Sequence, residues 1–97
     1  MQYSYEIASR PVELGGGWRL RLLENDMEVG GGLFPVRQAD PHQRMTWWDA
    51  TTENERGQWL KLANSTRPVD AYQIFLVEDA FTDAENEAHS WLDTRAS

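Results

Sequence analysis

Residues 17–34 read Gly17-Trp18-Arg19-Leu20-Arg21-Leu22-Leu23-Glu24-Asn25-Asp26-Met27-Glu28-Val29-Gly30-Gly31-Gly32-Leu33-Phe34, and their pattern decides the fold. Trp18, Leu20 and Leu22 alternate with Arg19 and Arg21. That period-2 pattern belongs to a strand with one face in the core and one in water. Glu24-Asn25-Asp26 is a turn signal, because Asn and Asp bond their own backbone and tolerate left-handed conformations. Met27 to Val36 then predicts a second strand of a hairpin, interrupted by three glycines and closed by Pro35.

Upstream, Tyr3, Tyr5 and Ile7 alternate with Ser4, Glu6 and Ala8, which predicts a strand that Arg10-Pro11 ends. Short connections favour an antiparallel meander over residues 1–38. Beyond Ala39 the period changes to that of helices. Asp40-Pro41 is a cap followed by proline at the first helical position, opening a short helix through Trp47-Trp48. Thr52-Glu53-Asn54-Glu55 is a capping box, and the helix it opens should run to about Asn64, burying Trp59, Leu60 and Ala63. Arg67-Pro68 starts another helix, with Val69, Tyr72, Leu76 and Ala80 at helical spacing.

On an unbroken helix Asp83 and Glu87 would turn toward the face of Tyr72 and Leu76. Thr82-Asp83-Ala84-Glu85 is a second capping-box pattern, so a break or kink is expected there. The last helix would then bury Ala84, Ala88, Trp91 and Leu92. The expected fold is α+β: one domain over residues 1–97, a three-stranded antiparallel sheet followed by three or four helices packed on one face, the helical part covering 40–93.

Composition narrows the function classes. The chain has no cysteine, so disulfides, thiolate metal sites and cysteine nucleophiles are excluded. No apolar run approaches the roughly 20 residues of a membrane span, and no secretory leader pattern is visible; a cytoplasmic location and no membrane partner are expected. The net charge of −7 opposes direct binding to nucleic acid. Nine acids and eight bases precede Asp70, whereas seven acids and one base follow from it.

Catalytic signals are weak. His42 and His89 are the only histidines and neither lies in a metal-spaced motif. His42 reads as a first-turn helix residue and His89 as a solvated helical side chain; an enzyme using His42 with Asp40 and Asp49 is the weakest of the functional options. Gly15-Gly16-Gly17 precedes a strand, so no helix N-terminus is at hand for a phosphate. No catalytic residue, metal or cofactor is expected.

Three features remain open between a structural and a binding role. Gly30-Gly31-Gly32 is either a bulge against bare backbone or a flat edge that another strand could join. Trp47 and Trp48 point about 100° apart on a helix, so either both are buried or one stays near the surface as an interface anchor. Glu78, Asp79, Asp83, Glu85 and Glu87 are either a solvated face or an array that imitates a phosphate track and occupies a basic groove.

The strings Gly15-Gly16-Gly17-Trp18-Arg19-Leu20, Val29-Gly30-Gly31-Gly32-Leu33-Phe34-Pro35 and Met45-Thr46-Trp47-Trp48-Asp49-Ala50, with Glu55-Arg56 and Trp59-Leu60, resemble a group of short, largely uncharacterised proteins. These occur on proteobacterial plasmids, integrative elements and phages, and the likeness spans about residues 5–92. Small acidic proteins in that setting are often anti-defence factors, anti-CRISPR proteins among them. The resemblance implies such a role and transfers no individual functional residue.

The expectation is therefore a non-enzymatic interaction protein, anti-CRISPR-like, whose partner is a protein with a basic, nucleic-acid-handling surface. The partner-binding candidates are Glu78, Asp79, Asp83, Glu85, Glu87, Trp47 and Trp48. The alternative is a structural or accessory protein that forms a homodimer through the glycine-rich strand.

Overall fold

In the computed structural model, which describes residues 2–96, the alternating segments are strands: β1 Tyr3–Ser9, β2 Trp18–Glu24 and β3 Met27–Phe34. They form one antiparallel sheet in the order β1-β2-β3. Tyr5 faces Leu22 and Ile7 faces Leu20 across the first pair; Leu20 faces Gly32 and Trp18 faces Phe34 across the second. Asn25 and Asp26 both have positive φ, 52° and 67°, the signature of the type I′ turn that matches the twist of a hairpin. The Asn25 amide donates to the Gln2 carbonyl (2.8 Å) and its side-chain oxygen accepts from the Gln2 amide (3.0 Å), so the start of β1 is tied to this turn.

The β1–β2 connection holds a short 3₁₀ turn, Val12–Leu14, and then the first glycine triplet. Two of its amides are already used: Gly15 donates to the Val12 carbonyl and Gly16 to that of Pro11. The Arg10 guanidinium donates to the carbonyls of Gly16 (3.0 Å) and Leu14 (2.7 Å), which fixes the loop from below.

Three α-helices follow: α1 Pro41–Ala50, α2 Glu53–Ala63 and α3 Pro68–Ala96. Asp40 caps α1, accepting from the His42 amide at 2.8 Å, with Pro41 in the first turn. Thr52 and Glu55 make both bonds of the capping box that opens α2. Asn64, with φ 50°, ends α2 in a Schellman-type close, its own amide donating to Lys61 and that of Ser65 to Leu60.

The break expected at Thr82 does not occur. Helix α3 runs unbroken for 29 residues, so Thr82 and Glu85 are interior positions and not a cap. The physical reason lies in the buried line Ala80, Ala84, Ala88. Four-residue steps overshoot the 3.6-residue turn, so the line advances about 40° at each step. Asp83 and Glu87 sit beside it, in water, because the C-terminal half does not bury the azimuth used by Tyr72 and Leu76.

Contacts divide the chain into two units whose boundary falls inside α3, between Glu78 and Asp79. The first unit contains the sheet and the helix from Asp79 onward. There Leu20, Leu22 and Ala88 form a buried cluster, with Tyr5, Ile7, Phe34 and Trp91 packed against it. Ala80, Ala84 and Ala88 are all buried, and Ala88 is the one that joins Leu20 and Leu22 in this cluster. Edge-to-face rings flank the cluster, Trp18 with Phe81 at 4.9 Å and Tyr3 with Trp91 at 5.6 Å.

The second unit is residues 37–78. Its centre is aromatic: Trp47 lies 5.0 Å from Phe75, 5.3 Å from Tyr72 and 6.1 Å from Trp59. Neither α1 nor α2 contains a fully buried residue, so Trp59, Leu60 and Ala63 are half-buried where burial is expected from their spacing. The corner between the two helices is held by Arg56, whose Nε and Nη2 donate to the Trp48 carbonyl at 3.1 and 2.8 Å. A cation at the carbonyl end of α1 also suits the helix dipole.

Candidate interaction surface

Charge follows the two units. The sheet-containing unit has ten acids and four bases, and the unit of residues 37–78 has six acids and five bases, so a balance of −6 belongs to the first and −1 to the second.

Within the first unit the strand carboxylates are largely answered. On the face of β2 opposite Leu20, Arg21 Nη1 meets Glu6 at 2.7 Å, Arg21 Nε lies 3.5 Å from Glu28, and Arg19 meets the same Glu28 oxygen at 3.1 Å. Arg21 Nε is buried and makes no hydrogen bond among the described residues, so the Glu28 contact is an ion pair without the linear geometry of a bond. This Glu6–Arg21–Glu28–Arg19 ladder runs across all three strands. Period 2 sets these groups on one face, but only the register shows which acid meets which base.

Helix α3 is different. Among the described residues, the side chains of Glu78, Asp83, Glu85 and Glu87 make no hydrogen bond or ion pair with the protein. Glu78, Asp83 and Glu87 are exposed; Asp79 and Glu85 are half-buried, and Asp79 does have a partner. The five do not form one array. Asp79, Asp83 and Glu87 follow each other at four-residue spacing along one flank, rising about 6 Å per step. Glu78 and Glu85, two turns apart, lie on a line about 150° around the helix from it. A single flat partner could meet one row but not both.

The two tryptophans also part company. Trp47 is engaged by the rings of Trp48, Trp59, Tyr72 and Phe75, as a core side chain would be. The ring of Trp48 is covered by the Arg56 guanidinium, 5.1 Å from its centroid. Both are half-buried.

His89 is exposed, and its Nε2 lies 3.2 Å from the Tyr5 hydroxyl, a hydrogen bond that joins helix to strand. His42 is exposed in the first turn of α1. Among the described residues no group of three or more metal-ligating side chains comes together. The Glu55 carboxyl is held below its ordinary value of 4.5 by its bonds with the Thr52 backbone amide and hydroxyl.

Sequence reasoning passed over the exposed apolar side chains of β3. Met27, Val29 and Leu33 all stand largely in solvent at the sheet edge. Their signal was present as an uncharged run, residues 29–34, in a chain rich in charge.

No protein-family model matches the chain, and neither a curated protein nor a solved structure matches it. No helix is long and apolar enough to cross a membrane, among the described residues.

Proposed function

We propose that this is a non-enzymatic interaction protein whose C-terminal helix presents a carboxylate row to a basic surface of a protein partner. The observation behind it is the row Asp79, Asp83, Glu87, of which Asp83 and Glu87 are exposed and meet no cation among the described residues. Such charges speed encounter with a positive groove and are weakened by salt. With the resemblance to short proteins of mobile elements, the reading becomes an anti-defence, anti-CRISPR-like inhibitor that occupies a nucleic-acid-binding groove in the cytoplasm. Docking is assigned to the carboxylates and not to Trp47, whose ring is already surrounded by others.

The test is capture of partners from the native host by the wild-type chain and by the Asp83→Lys/Glu87→Lys double variant. Both positions are exposed, so helicity should be retained. The reading requires that a basic protein be captured by the wild type, released by added salt, and lost with the variant. Capture that survives charge reversal and salt would remove it.

A further inference from the structure

Strand β3 is an edge strand, since the sheet order is β1-β2-β3. Edges are normally blunted by charge, proline or cover, because their unpaired amides and carbonyls template further strands. From Val29 to Phe34 this edge has no charge at all, and Val29 and Leu33 are 54% and 60% exposed. Proline appears only after the strand, at position 35.

The glycines sharpen the point. A Cβ on Gly31, whose φ is +152°, would overlap the carbonyl oxygen of Leu20, so the pairing of β2 with β3 requires glycine there. Gly30 and Gly32 are not required in that way. A Cβ at Gly30 would meet a Leu22 methyl at 3.6 Å and one at Gly32 the Phe34 ring at 3.5 Å, both ordinary contacts. The bulge beside Gly30 accounts for one small residue there, but among the described residues no close contact requires glycine at Gly30 or Gly32. Glycine in a strand often marks close approach of another backbone.

We infer that a second copy of this chain pairs with β3, antiparallel, about a two-fold axis at Gly31. Self-complementarity of the strand identifies the occupant. Centring on Gly31 sets Gly30 opposite Gly32 of the second copy, and Val29 opposite its Leu33, twice over by symmetry. It also sets Glu28 opposite Phe34 of the second copy, so the two Glu28 carboxylates do not confront each other. The bulge in β3, where Leu22 pairs with Gly30 and Leu23 with Glu28, lies at Val29, so Gly30 to Gly32 form the regular centre of the pairing and the two Val29–Leu33 pairs flank it beside the bulge. The product is a continuous six-stranded sheet.

One strand pair buries less than the ~1,200 Å² typical of stable interfaces, so the dimer is concentration-dependent. Salt should strengthen it, since each chain bears −7 and screening reduces their repulsion. That sign is opposite to the one expected for the acidic helix, so failure of either idea is read separately.

The experiment is sedimentation equilibrium over a concentration series, together with disulfide trapping. The expected result is a shift from the 11.2 kDa chain toward twice that mass, lost in Val29→Lys/Leu33→Lys. The chain has no cysteine of its own among the described residues. A Val29→Cys chain mixed with a Leu33→Cys chain should therefore crosslink under mild oxidation, whereas either alone should not. The trapping result decides if the lysine variant fails to fold, as circular dichroism would show. A wild-type monomer at every concentration, a dimer unaffected by the lysines, dissociation instead by Leu62→Lys, a change at an exposed apolar side chain of α2, or no crosslink in the mixture would each overturn the inference.

Discussion

Replacing Gly31 by alanine separates a required glycine from two that the chain's own packing does not require. The added Cβ would overlap the Leu20 carbonyl oxygen and stand 3.1 Å from its carbonyl carbon, backbone atoms that cannot rotate away. A φ of +152° is also one that residues with a Cβ adopt only under strain, costing about 1–3 kcal/mol. Relief requires β2 and β3 to separate locally, with loss of one or two ladder bonds at about 1 kcal/mol each. The expected cost is therefore about 2–5 kcal/mol. At 4–8 °C per kcal/mol for a domain of this size, the melting temperature should fall by roughly 8–40 °C. Gly32→Ala meets only a ring atom at 3.5 Å and restricts the unfolded chain, so it should be neutral or stabilise by up to about 1 kcal/mol. Thermal and urea unfolding of the two variants, at protein concentrations low enough to hold the chain monomeric, make the comparison. Equal shifts for Gly31→Ala and Gly32→Ala, or a shift below about 5 °C for Gly31→Ala, would refute the geometry of the β2–β3 pair.

Thr52→Ala removes a cap that accepts from the Glu55 amide and should cost about 1 kcal/mol in urea titrations, whereas Thr82→Ala, at an exposed helix-interior site, should stabilise by a few tenths. Glu55 has its folded pKa lowered, so its contribution is complete above its ordinary value and is lost as pH falls through the lowered one; helicity of the wild type should decline over that acid range, and in Glu55→Gln this step should be missing. Arg56→Ala leaves the Trp48 carbonyl without its guanidinium and uncovers the ring; a loss of about 1–2 kcal/mol and a change in tryptophan fluorescence are expected. Ala84→Leu places a large side chain in the fully buried row of α3 and should destabilise by about 1–3 kcal/mol, read by the same melts.

The strands were legible because each is decided locally. Trp18, Leu20 and Leu22 alternate cleanly, and Asn25-Asp26 admits few turns other than the one formed. The starts of α1 and α2 were legible for the same reason, since Asp40 and Thr52 each act within one turn of chain. Helix α3 was not. Thr82-Asp83-Ala84-Glu85 has the composition of a cap, but a cap forms only where the preceding residues leave the helix, and burial of Ala80 and Ala84 keeps them in it. Tertiary packing overrode a local preference worth about 1 kcal/mol. The acids of α3 divide for a related reason: they are neighbours in sequence, while the helix period sends Glu78 and Glu85 away from Asp83 and Glu87. Trp47 could not be placed from sequence at all, because its neighbours Tyr72 and Phe75 are more than twenty residues away along the chain.

The distribution of charge bears on both proposals at once. Arg19 and Arg21 are held by Glu28 and Glu6, so the sheet retains little cation to offer the acids of α3. Among the described residues, Asp83 and Glu87 have no cation partner and are open to a foreign one, and the same excess of acids opposes the approach of a second copy. A self-pairing surface on this unit has to be where charge is lowest, and the run from Val29 to Phe34 is such a place. The two surfaces consequently respond to ionic strength with opposite sign: raising salt should release a basic partner from Asp83 and Glu87 while tightening the β3 pair. A titration of both associations with salt distinguishes this arrangement from one in which the acidic residues only keep the chain soluble. In that last case dimer mass would still rise with salt, and no basic partner would be released by it.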